Sequence, residues 1–292
     1  MKILIQTTIP FAADDWNAGR FTLLANELRA AGHDVTARDR EEQLDGSDRV
    51  LPRLVDTDFD QLWLMAVDVG SGLAPADVNG ILEFRESGGG IVTARDHQDL
   101  GASLGKLHSL GTFNHFHSLN LEDLDRRESD DRDNPDISYP NYHSGANGDY
   151  QRITPLEPIH DLLRSSAAPN GIIEHFPAHP HEGAVGVPRQ VGFARVIAQG
   201  RSAVTGRPFN LAVAIDGQPC ERRSGLQGRA VAESTFHHFV DLNWDIDCGA
   251  PSFVTDRPGS EMKQDPERLQ TFKDYVRNLA SWLGSRPGRM VR

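Results

Sequence analysis

The chain opens on a short apolar run at residues 2–7 (KILIQT), of strand length, followed by a loop carrying Pro10, Asp14, Asp15 and Trp16. Phe21, Leu24 and Leu28 then recur at helical spacing as far as Gly32, which has the place of a helix C-cap. Residues 33–38 (HDVTAR) predict a second strand. The opening is therefore a β-α-β unit, whose crossover is right-handed and whose strands are parallel. Residues 60–67 (DQLWLMAV) form a near-continuous apolar run, the pattern of a strand buried on both faces. Residues 74–86 predict a helix with Pro75 in its first turn. Gly88, Gly89 and Gly90 end it and lead into a strand at 91–94 (IVTA), after which the chain turns sharply through Arg95-Asp96-His97.

From 119 to 150 the pattern gives way to polar sequence centred on LEDLDRRESDDRDNPD, which reads as a solvated loop. Its continuation, SYPNYHSGANGDYQ, is rich in turn formers and aromatics and reads as an ordered loop over the sheet. Strands are predicted at 192–198, at 208–215 and at 228–233 (GRAVAE), the last ending in Ser234-Thr235-Phe236-His237-His238; an amphipathic helix closes the pattern at 267–283. There is no internal repeat and no linker. The expectation is one α/β domain over 1–292, built on a central, mostly parallel sheet, with a polar insertion at about 106–170.

Composition narrows the function classes. The 292 residues carry a net charge of −12, and the scattered basic residues form no run, so a phosphate backbone is repelled and nucleic acid is not expected as a partner. No segment reaches the roughly 18 apolar residues of a membrane span. MKILIQTTIP reads as a first strand rather than a signal peptide, and the expected location is the cytoplasm. The two cysteines, Cys220 and Cys248, stand in no CxxC pattern, which excludes a disulfide scaffold and a four-cysteine zinc site.

Chemistry concentrates where predicted strands end, which is where open α/β sheets bind ligands. Three stretches stand out. Arg95-Asp96-His97 follows the glycine-rich strand at a sharp turn suited to a nucleophile or an anion site. His179-Pro180-His181-Glu182 offers two imidazoles and a carboxylate within four residues, and the i, i+2 spacing puts both histidines on one face of an extended segment. Glu233 to His238, with two adjacent histidines, is the third. Weaker sets are His115 and His117, and Asn141, His143 and Asn147; Trp16 and Arg20 follow the first strand, where a substrate loop usually lies.

With these residues in view, the chain resembles the class I glutamine amidotransferase-like superfamily, and within it the ThuA-like, trehalose-utilisation branch. MKILIQTT, FDQLWLMAV, ESGGGIVTARDH at the nucleophile-elbow position and GRAVAESTFHH at the late strand carry the resemblance, over roughly residues 1–105 and 170–245. It implies a flavodoxin-like three-layer sandwich. Glutamine-hydrolysing members have a cysteine at the elbow, where this chain reads Ala94-Arg95-Asp96-His97. FPAHPHEG is similar to the His-Pro-Glu signature, but without the thiol the Cys-His-Glu mechanism cannot run.

The expected function is a hydrolase or lyase acting on a small polar molecule, a sugar derivative or an amide. A divalent transition metal (Zn, Fe, Ni or Mn) would sit on His179, His181, His237 and His238; Asp96, His97, Glu182 and Glu233 are the expected catalytic groups, and Trp16, Arg20, Arg95, Asn141 and His143 the substrate contacts. A metal-free version has Asp96 or Ser234 acting with a histidine. The competing class is a binding or assembly domain that has lost its nucleophile, since fold does not fix function. A small-molecule substrate is the expected partner, and a homo-oligomer is left open. The spatial expectation common to both enzyme readings is that the stretches around His97, His181 and His237 meet above the sheet.

Overall fold

Eight strands line up in one sheet in the computed structural model, which describes residues 1–127, 136–220 and 224–284. In chain order the elements are β1 (Lys2–Pro10), α1 (Thr22–Ala30), β2 (Asp34–Arg40), β3 (Gln61–Met65), α2 (Pro75–Glu86), β4 (Gly90–Ala94), α3 (His108–Gly111), β5 (Asn114–His115), β6 (Tyr150–Arg152), β7 (Thr154–Pro155), β8 (His175–Pro177) and β9 (Ala184–Val185). They continue with β10 (Ala194–Arg201), β11 (Pro208–Ile215), β12 (Ala230–Glu233), α4 (Asp241–Trp244), α5 (Glu261–Gln264) and α6 (Pro266–Gly284). The sheet order is β2-β1-β3-β4-β12-β11-β10-β7. The first five are mutually parallel, and β11, β10 and β7 extend the sheet antiparallel from β12.

The continuous apolar runs become central strands because both faces of the sheet are covered. Ile3, Ile5, Trp63, Met65 and Val92 face the layer of α1 and α6, where they meet Leu24, Leu28, Phe272 and Leu279. Leu4, Leu62, Leu64 and Ile91 face the opposite layer, with Val78, Ile81 and Phe84 of α2. Burying each such side chain is worth roughly 1.5–3 kcal/mol, so a strand with no polar face is stable only between two layers. This is the α/β sandwich with a mostly parallel sheet that the pattern predicts. Among the described residues no helix is long and apolar enough to cross a membrane.

Boundaries differ where pairing outruns hydrophobicity. Strand β1 continues to Pro10, which pairs with Arg40 after an irregularity, and β10 lies two to three residues later than predicted. The polar insertion is stitched to the rest: β5 pairs with β9, β6 with β8, and β7 takes the edge of the main sheet. The centre of the charge run, residues 128–135, lies outside the described residues, but its flank folds inward. Glu122 is buried and accepts a hydrogen bond from Tyr139 Oη at 2.9 Å.

Distant residues finish the helix ends. Gly32, at φ 86°, terminates α1 as expected, while the Asp241 carboxylate accepts from the Thr22 and Leu23 amides (3.1 and 2.7 Å) that start it. In α2, Gly80 sits where propensity alone favours alanine by about 1 kcal/mol. A Cβ there would stand 2.0 Å from Leu51 O and 2.7 Å from Pro52 Cα, both backbone. Gly80→Ala should therefore destabilise the chain by about 1–3 kcal/mol in urea unfolding, the cost of overpacking against a wall that cannot yield. A neutral or stabilising result would show that the 51–56 turn moves freely.

Candidate functional site

Alternation along the strands decides which polar residues reach the carboxyl ends of the sheet. Ile91 faces the α2 layer, and Arg95, four residues on, follows it; Val92 and Ala94 face the α1 layer, and Asp96 continues that series into a loop beside Trp16 and Phe236. Asp96 is 1% exposed. Its Oδ1 accepts from Thr235 Oγ1 at 2.9 Å, and its Oδ2 accepts from His97 Nδ1 at 3.0 Å. His179 brings Nε2 to 3.4 Å from Oδ1, and His237 brings Nε2 to 3.5 Å from Oδ2. Donor atoms of Asp96, His179 and His237 all lie within 4.8 Å of one another, all from buried residues.

Each imidazole has a second contact that orients it. His179 Nδ1 donates to Asn147 Oδ1 at 2.9 Å, which leaves Nε2 as a lone pair aimed at Asp96, buried and with no hydrogen-bond partner. The His179 and His237 rings stack at 3.6 Å between centroids, 9° from parallel. Trp16 packs edge-on against His237 at 4.6 Å, and Phe236 stacks on it at 4.5 Å. His181 Nδ1 donates to Asn141 Oδ1 at 3.1 Å, and its Nε2 lies 3.5 Å from Asp256 Oδ2. The His181 ring stands 5.3 Å from His97 and 5.7 Å from His179. Burial and the neighbouring His237 hold the His179 imidazole well below its ordinary pKa, so it is neutral. Burial works against ionisation of Asp96, but the surrounding imidazoles, His179 first, hold its carboxyl well below the usual range.

The turn that carries His179 and His181 can dock this closely because residue 183 is glycine. A Cβ on Gly183 would fall 2.5 Å from Arg95 Nη1, Asp96 O and Ser234 O alike.

The structure thus brings together Asp96, His97, His179, His181 and His237, with Asn141 and Trp16 in support. The three separated stretches do meet above the sheet. Other expected site residues lie elsewhere. His238 is not with the other imidazoles: one step along the 3-10 turn Phe236–His238 its ring points inward, fully buried, between Glu182 Oε2 (3.4 Å from Nε2) and Glu233 Oε2 (3.6 Å from Nδ1). Burial alone would lower the His238 pKa, but the two carboxylates raise it to about 9. Glu182 and Glu233, expected as general bases, belong to this second cluster. Neither has any exposure, and Glu233 Oε1 accepts from Tyr275 Oη of α6. Arg95, expected to hold substrate, is buried on the α2 side with its guanidinium 4.2 Å from the Phe116 ring centre, and burial draws its pKa down to about 9. Arg20 donates to Gly249 O at 3.4 Å, and His143 Nδ1 bonds Pro180 O at 3.2 Å on the outside of the turn. His115 and His117 bond loop carbonyls, Asn120 O and Tyr139 O.

Four residues that touch these groups carry no sequence signal that singles them out. Asp256 sits in an aperiodic loop; Ser144 and Gln151, which both donate to Glu182 Oε1, sit in a polar stretch; and Tyr275 lies on the apolar stripe of α6, where it reads as core.

No family model matches this chain, and no curated protein matches it. Solved structures do. The N-terminal domain of mmIFT52 superposes with a TM-score of 0.53 at 12% identity, covering 99% of this chain and 100% of that one. A cytoplasmic protein of Salmonella typhimurium superposes with a TM-score of 0.51 at 14% identity, over 97% and 99%. A thua-like protein of Parabacteroides merdae follows at a TM-score of 0.49 and 14% identity, over 99% and 92%. At these identities the likeness to the first two is one of fold.

Proposed function

We propose that this chain is an enzyme of the hydrolase or lyase class that uses a divalent transition metal, held by Asp96, His179 and His237, to act on a small polar substrate such as a sugar derivative or an amide. The observation that carries the reading is the convergence of those three donors, each from a different part of the chain, within 4.8 Å of one another. The donor chemistry fits a metal. An ionised carboxylate faces a neutral imidazole whose lone pair has no proton to meet, and that imidazole's far nitrogen is fixed by Asn147, as ligating histidines commonly are. One carboxylate and two imidazoles suit Zn, Fe, Ni or Mn. Bound there, such an ion supplies Lewis acidity toward a carbonyl or a water molecule.

The remaining residues handle protons and water. His97 anchors Nδ1 on Asp96 and is the most exposed imidazole around it, with 18% of its side chain accessible; it is placed to accept or deliver a proton at Nε2. His181 and Asp256 form a second imidazole–carboxylate pair beside it, 3.5 Å apart. Trp16 and Phe236 shield His237 from solvent, which strengthens electrostatics within the centre.

The test is metal titration of chelator-treated protein with a substrate screen in parallel. One ion per chain is expected, with His179→Ala abolishing binding and any turnover following the ion. No stoichiometric ion, with turnover indifferent to chelator, would sink the proposal.

A further inference from the structure

Two of the three donors reach Asp96 from segments that share no strand pairing. His179 lies on the turn after β8, and His237 on the 3-10 turn after β12. The Gly183 amide donates to Ser234 O at 3.2 Å, and Asn243 Nδ2 lies 3.4 Å from Ala178 O and 2.7 Å from His237 O; beside these links, one buried carboxylate reaches both segments through their side chains. Ser144 Oγ donates to Glu182 Oε1 at 2.7 Å and accepts from the His179 amide at 2.9 Å, so this arm runs from Glu182 to the His179 backbone. Ser234 Oγ donates to Glu182 Oε2 at 2.8 Å. Its neighbour Thr235 accepts from the His237 amide at 3.0 Å and donates to Asp96 Oδ1 at 2.9 Å, so the second arm ends on the other two donors. Gln151 Nε2 also donates to Glu182 Oε1. Every oxygen of this carboxylate is committed, and none faces solvent.

We infer that Glu182 is a positioning residue of the centre: through Ser144 on one oxygen and Ser234 on the other, its carboxylate holds His179 relative to Asp96 and His237. It touches neither substrate nor ion. The inference rests on the metal reading above, and it extends that reading to residues that hold no ligand atom of their own. Charge-assisted hydrogen bonds to a buried carboxylate are short and directional, which suits them to hold a donor to a few tenths of an ångström. Loss of such supporting contacts commonly costs 10- to 100-fold in metal affinity.

The experiment titrates Co2+ into wild type, Ser144→Ala, Ser144→Thr and Ser234→Ala, reading the dissociation constant and the visible d–d bands, with the melting temperature of each metal-free protein alongside. Ser144→Ala is expected to bind about 10- to 100-fold more weakly with shifted bands, and Ser144→Thr, which keeps the hydroxyl, to restore both. Ser234→Ala should reproduce the defect from the other arm, and it carries the test should Ser144→Ala fail to fold. Variants that melt lower yet bind Co2+ with wild-type affinity and bands would overturn the positioning role and leave the metal reading standing. A wild-type protein that binds no Co2+, Zn2+ or Mn2+ would overturn the metal reading, and this inference with it.

Discussion

Replacing His238 by leucine is expected to lower the free energy of unfolding by about 3–5 kcal/mol, because it strips the cation from between two buried carboxylates. Glu182 and Glu233 have no exposure and stand 3.4 and 3.6 Å from the two ring nitrogens. With its pKa raised to about 9, His238 is protonated at neutral pH. Leucine has a similar volume, so a cavity accounts for little of the loss, and uncompensated negative charge accounts for most of it. A second substitution checks that assignment. Glu233→Gln in the His238→Leu background should recover part of the stability, since a neutral amide still accepts from Tyr275. The pH dependence follows from the sign of the shift. A group whose folded pKa is raised contributes its stability fully below the unfolded value, near 6.5 for histidine, and loses it as pH climbs through the folded value near 9. The gap between wild type and His238→Leu in urea unfolding should therefore be widest at pH 6 and narrow towards pH 9. Glu122 and Asp241, both raised to about 6, act at lower pH and cancel in the comparison. A gap under about 1 kcal/mol at pH 6 would mean that His238 is neutral in the folded chain, since an exposed-like pair contributes no more than that.

The same cluster shows where sequence reasoning stops. The parallel strands were legible because burial on both faces leaves an unmistakable apolar run, as in QLWLM. The site was legible only as three stretches at strand ends. Within each stretch the roles were set by geometry that spacing does not encode. His237 and His238 occupy successive places on a 3-10 turn, about 120° apart, so one joins Asp96 and the other turns towards Glu182. His179 and His181 do share the site, as i, i+2 spacing predicted, yet they face different carboxylates, Asp96 and Asp256. Strand alternation puts Arg95 with Ile91 on the α2 layer, away from Asp96. Glu233 follows Val231 on the same face as Asp96, and what keeps it from the mouth of the site is its burial against Tyr275 of α6, which alternation does not encode. Asp256 was beyond reach, because its position depends on a loop held across the site by Ser252 bonding Asp14, more than 200 residues away in sequence.

Asp96→Asn is expected to abolish metal-induced stabilisation while leaving the metal-free fold intact. The substitution preserves shape, and the amide Oδ1 still accepts from Thr235, so the turn after β4 keeps its anchor. What goes is the negative charge that two imidazoles approach at 3.4 and 3.5 Å. An ion present at 100 times its dissociation constant stabilises the folded state by about 2.7 kcal/mol, which for a chain of this size raises the melting temperature by roughly 4–5 °C. In Asp96→Asn the same addition should move it by less than about 1 °C, since a site one carboxylate short loses most of its affinity. Asp256→Asn supplies the contrast. That carboxylate is about a third exposed and lies against His181, outside the three-donor group, so the variant should keep most of the shift. Equal shifts in wild type and Asp96→Asn would place the ion elsewhere, with the exposed Asp245 and Asp247 around Lys263 as the first place to look. A shift lost in Asp256→Asn and kept in Asp96→Asn would move the centre to His181 and leave His179 and His237 as a stacked, metal-free pair.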